Sequence, residues 1–89
     1  MTEEQEQTPT EQIAALAEFI VTTMLPEGAQ VDVSAKERRG EVTVSINPES
    51  QYRGAVIGKG GAVVRAIRQL LTAGRFGDTI TRIDVDIAD

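Results

Sequence analysis

Between Ile13 and Met24, apolar residues recur at Ile13, Leu16, Ala17, Ile20, Val21 and Met24, the three-and-four spacing of a helix with one buried stripe. Thr8 stands where an N-cap belongs, Pro9 suits the first helical position and Glu11 completes a capping box, so the helix is predicted to start there. Pro26 and Gly28 stop it. The period then changes to two. Val31, Val33 and Ala35 alternate with Asp32, Ser34 and Lys36, and after Glu37-Arg38-Arg39-Gly40 the alternation resumes as Val42, Val44 and Ile46 against Thr43 and Ser45. Two half-buried strands joined as a hairpin follow. Asn47-Pro48 is expected to cap and start a short helix carrying Tyr52, Val56 and Ile57. From Gly61 to Ala73, apolar residues at Val63, Ile67, Leu70 and Leu71 predict a second amphipathic helix, ended by Gly74. Thr81 to Ile87 reads as a last strand, with Ile83, Val85 and Ile87 inward and Arg82, Asp84 and Asp86 outward.

The order is α-β-β-α-α-β, which predicts an α+β fold in two layers, a three-stranded sheet with helices packed on one face. Its outward face would carry Asp32, Ser34, Glu41, Thr43, Ser45, Arg82, Asp84 and Asp86, a poor surface for a polyanion, so a ligand of that kind is expected on the helix side. Residues 1–7 are polar, acidic and low in complexity and read as a disordered tail, leaving 8–89 as a single domain with a modest core. There is no Cys and no His, which removes disulfides, thiolate metal sites and the commonest nucleophile and general-base chemistry. An enzyme would have to rely on Ser, Lys or carboxylates, and Lys59 has no nearby acid in sequence to form a dyad. No basic and apolar leader and no run of about 20 apolar residues is present, so a soluble, cytoplasmic protein without a membrane partner is expected.

The chemistry concentrates at Gly58-Lys59-Gly60-Gly61, between the two later helices. Glycines without Cβ atoms let a phosphodiester approach bare backbone, Lys59 adds charge, and the first turn of the following helix directs N–H groups toward the loop. Arg65 and Arg68, three apart on that helix, lie outside its most apolar arc and within reach of a strand of phosphates. A nucleotide P-loop fits poorly, because Gly60 follows Lys59 where a magnesium-binding Ser or Thr is needed. A dinucleotide fingerprint would want glycine at 63, where Val63 stands, and a strand before the loop. A tight structural corner between two helices is the plain alternative. Charge favours the grip. The chain is acidic overall, with 9 Lys and Arg against 14 Asp and Glu, yet from 50 to 77 the charged residues are Arg53, Lys59, Arg65, Arg68 and Arg75, with no acid among them. The first thirty residues hold only acids. A segregated field attracts phosphate locally despite a repulsive total.

Val56-Ile57-Gly58-Lys59-Gly60-Gly61, followed by Ala66-Ile67-Arg68, resembles the V-I-G-x-x-G-x-x-I core of KH domains, with Val64 in place of the usual isoleucine. The element order resembles the bacterial single-KH proteins of the KhpA type, and the resemblance implies a type II KH arrangement. It further implies binding of single-stranded RNA, about four unpaired nucleotides lying in an aliphatic groove with the loop clamping the backbone. On this carry-over Gly58, Lys59, Gly60 and Gly61 contact backbone, and Val56, Ile57 and Val64 line or support the groove; Val44 and Ile46 are weaker candidates. Phe19, Tyr52 and Phe76 are the only aromatic residues, too few for the stacking platform of RRM or OB modules. The resemblance also implies self-pairing as a homodimer and pairing with a larger KH protein of the Jag/KhpB type. A role as RNA chaperone or post-transcriptional regulator is one reading, and a protein-interaction module with little RNA binding of its own is the other. No metal or cofactor is expected.

Overall fold

A computed structural model describes residues 7–88. The expected tail falls outside the described residues except for Gln7. The elements are α1 (Pro9–Met24), β1 (Val31–Arg38), β2 (Glu41–Pro48), α2 (Ser50–Ile57), a single 3-10 turn (Lys59–Gly61), α3 (Ala62–Ala73) and β3 (Arg82–Ile87). The predicted α-β-β-α-α-β order is the observed one. At the start of α1 the capping box is complete: Glu11 N–H donates to the Thr8 hydroxyl oxygen (3.1 Å) and Thr8 N–H donates to the Glu11 carboxylate (3.0 Å). Two of the helix's otherwise unpaired donors are satisfied in this way.

The sheet runs β1-β2-β3. β1 and β2 are antiparallel, with Val33 opposite Ile46 and Arg38 opposite Glu41, while β2 and β3 are parallel, with Val42 beside Ile83 and Val44 beside Val85. Burial along β2 alternates strictly: Val42, Val44 and Ile46 are buried and Glu41, Thr43 and Ser45 exposed. The helices cover the buried face. α1 packs mainly on β1, α3 on β3, and α2 against α3 and β2. Ile13, Ala17 and Val21 from α1, Val56 from α2 and Ile67 and Leu71 from α3 meet the β2 side chains and Ile83 in one cluster.

Several local expectations are corrected. Asn47 and Pro48 do not start α2. They extend β2, paired with Asp32 and Val31, and Glu49 takes the N-cap position without a side-chain cap bond. Proline is tolerated at such a strand end, where its missing N–H breaks little of the ladder. The hairpin is also tighter than the four-residue Glu37-Arg38-Arg39-Gly40 stretch suggested, because β1 runs through Arg38 and the turn is Arg39-Gly40 alone. Phe19 sits on α1 but contributes nothing to the core, being 67% exposed, and Met24 and Leu70 are also exposed. Successive helical residues are about 100° apart, so Phe19 lies some 200° round the axis from Ala17 and faces away from the sheet.

Candidate nucleic-acid interface

The loop after α2 is built by its glycines. Gly58 ends the helix, its N–H donating to the Gly54 carbonyl (2.8 Å), and turns the chain with φ 80° and ψ 167°, a region essentially reserved for glycine. A Cβ on Gly58 would also meet the Val63 side chain at 2.4 Å. Gly60 (φ 62°, ψ 20°) and Gly61 (φ 80°, ψ 15°) are left-handed as well. Gly61 N–H donates to the Gly58 carbonyl (3.0 Å) and Ala62 N–H to the Lys59 carbonyl. Those bonds close the turn and leave the N–H groups of Lys59 and Gly60 at its tip without a backbone partner among the described residues. Lys59 and Gly60 are exposed.

Arg65 braces this tip. One of its terminal guanidinium nitrogens donates to the Gly60 carbonyl at 2.6 Å, a charge-assisted bond that holds the left-handed residue in place. A guanidinium carries five N–H donors, so others remain for phosphate. Arg68, one turn further along, is exposed and pairs with no acid among the described residues. Arg53, counted among the cations of this stretch, is used elsewhere: its Nε donates to the Ala88 carbonyl (2.9 Å) and ties α2 to the end of the sheet.

Val56 is fully buried, so it supports the loop from the core and touches no ligand; Ile57 and Val64 are half-buried and reach the surface. Val44 and Ile46, at 0% exposure, are core alone. Val64, Arg65 and Arg68 face Asp84 and Val85 of β3 across a shallow hollow. It continues past Gln69, Thr72 and Ala73 opposite Thr81 to Asp84, and opens at its far end into a hollow of about 330 Å³ lined by Gly74 to Asp78 and Ile80 to Ile83. A groove therefore follows α3 from Val64 and Arg65, in the first turn after the glycine loop, to the α3–β3 connection, about 15 Å at 1.5 Å per residue. Its second wall is the free edge of β3. That wall was not legible in the sequence, which marks Ile83 and Val85 as inward residues but not which side of the sheet ends at β3. Two acids line the groove: Asp84, ion-paired with Arg82 at 3.0 Å, which reduces its repulsion of a phosphate, and Asp78 at the far end.

Residues 14–87 match the family model of the KhpA/KhpB KH domain. The match spans the sheet, the glycine loop and both flanking helices, and the chain belongs to this family. Membership supports RNA binding at the level of the family, and at the same level a partnership of the KhpB kind. No curated protein and no solved structure matches the chain. No helix among the described residues is long and apolar enough to cross a membrane.

Proposed function

We propose that this chain is a non-catalytic, cytoplasmic RNA-binding protein that takes short unpaired segments into the α3–β3 groove, as a chaperone or post-transcriptional regulator. The Gly58-Lys59-Gly60-Gly61 loop grips the phosphodiester. Ile57 and Val64 supply aliphatic contact at the groove's entrance, and Arg65 and Arg68 follow the backbone along α3. Val56 holds the loop from beneath. The observation that carries this reading is the loop tip, where Lys59 and two N–H groups without a partner among the described residues precede, by one helical turn, a groove along α3 whose cations Arg68 and Arg75 have no acidic partner among the described residues. Phosphate contacts position a strand without reading its sequence, and the aliphatic walls accommodate bases without aromatic stacking.

The test is replacement of Lys59 and Gly60 together by Asp. Two carboxylates would then face phosphate, and RNA binding should be lost in a gel shift while circular dichroism stays native. Gly60 tolerates the change because nothing lies within 4 Å of a Cβ there and Asp is among the residues that accept left-handed backbone. Unchanged affinity with the fold intact would falsify the clamp. A second reading, a protein-interaction module, is favoured by the exposure of Leu70 (56%) on α3, an apolar residue that the single domain leaves uncovered. Partner binding that survives the Asp substitutions would then be the main activity.

A further inference from the structure

The tip of the β1–β2 hairpin holds an arginine in a conformation arginine does not favour. Arg39 has φ 55° and is the one non-glycine residue with positive φ among those described; Gly40 follows at φ 84°. With Arg38 paired to Glu41, this is a two-residue turn in which both central positions need left-handed backbone, a place where Asn or Gly is far better suited than Arg. Such strain persists where the surroundings fix it, and it points to a use for the side chain.

The surroundings do fix it. Gly40 N–H donates to the Glu37 carboxylate, and the Gly40 carbonyl accepts from Thr81 N–H (2.8 Å) and the Thr81 hydroxyl (3.4 Å). A Cβ on Gly40 would lie 2.5 Å from the Thr79 carbonyl oxygen. The tip is thus docked on the α3–β3 connection, the segment that walls the far end of the groove together with Arg75. Lys36, Arg38 and Arg39 are exposed and form no ion pair among the described residues. Glu37, bonded to Gly40 N–H, and Glu41 line the same hollow as these residues, so three cations stand there against two acids.

Building on the RNA reading above, we infer that the hairpin tip is a second phosphate-contact site for the same strand. Nucleotides that run out of the groove past Arg75 cross to Arg38 and Arg39, so the footprint exceeds the segment that the loop and α3 hold. The docked turn keeps Arg39 next to the residue, Gly40, that is bonded to the connection walling that exit.

The experiment uses the full chain and two single-stranded RNA probes, one of about four nucleotides and one of about ten. With Arg38→Ala and Arg39→Asn combined, the long probe should bind several-fold more weakly. The slope of its log affinity against log salt should flatten by about 1.4, two phosphates at ~0.7 each. The short probe should be unaffected. Arg39→Asn alone should raise the melting temperature while weakening the long probe, because it relieves the backbone and removes the charge; Arg39→Lys should keep most of the binding. Unchanged slope and affinity on the long probe, or an equal loss on both probes, overturns the second site. Failure of the RNA reading itself is distinguishable, since wild type would then bind neither probe, or the Lys59 and Gly60 variant would bind both.

Discussion

At Gly58 two demands coincide: a φ and ψ that side-chain-bearing residues avoid, and a close approach of Val63 that leaves no room for a Cβ. Gly60 meets only the first. Gly58→Ala should therefore cost about 1–3 kcal/mol of stability and weaken RNA binding by moving the loop against α3. Gly60→Ala should cost roughly 1 kcal/mol, the left-handed penalty alone. Urea unfolding of the two variants checks this, and equal destabilisation would mean that the Val63 contact is easily relieved. Lys59 differs from both, because its exposed ammonium has no intramolecular task among the described residues and its replacement should show in binding alone.

At the scale of the element, α3 performs three tasks on three sides. Ile67 and Leu71 are buried against the sheet, Val64 and Arg68 flank the groove, and Leu70 faces solvent on the other flank. If Lys59, Arg65 and Arg68 each meet one phosphate of a short strand, the log-log salt slope should be near −2, at about 0.7 per phosphate. Arg68→Ala should flatten it by about 0.7 with little dependence on RNA sequence. Arg65→Ala should flatten it equally but lower affinity further at every salt concentration, because the Gly60 brace goes with the charge. Titrations of both variants over a salt series separate the roles; identical curves would mean that the brace contributes nothing to binding.

For the whole molecule, the core consists of one small cluster, and a domain of this size buries a smaller fraction of its surface than a larger one does. Phe19, Met24 and Leu70 remain outside it. We expect a weak two-fold homodimer that covers the Leu70 flank of α3, in competition with pairing to a larger KH protein. The same flank lies away from the α3–β3 groove, so the expected pairing would leave the proposed RNA site open. Analytical ultracentrifugation over a concentration series should show a dimer that Leu70→Asp converts to a folded monomer. A wild type that stays monomeric at high concentration, or a variant that unfolds outright, would remove this interface.

The order and kind of the three α-helices and three strands are legible in the sequence, because helix caps, period-two alternation and the glycine loop are local signals whose physics acts over a few residues; the 3-10 turn at Lys59–Gly61 is not. Thr8, Pro9 and Glu11 form the box their spacing predicts, and Val42, Val44 and Ile46 face the core as their alternation requires. Where local signals compete they do not decide: Asn47-Pro48 is as good a helix start as a strand end, and pairing with Val31 and Asp32 makes it strand. Only the tertiary structure set β3 parallel beside β2 at the sheet's edge, and with it the second wall of the groove. Periodicity tells which face of a strand is buried and says nothing of its neighbour. The Arg65 brace on Gly60 and the docking of Gly40 on Thr81, 41 residues apart, are likewise contacts that exist only once the chain has closed on itself.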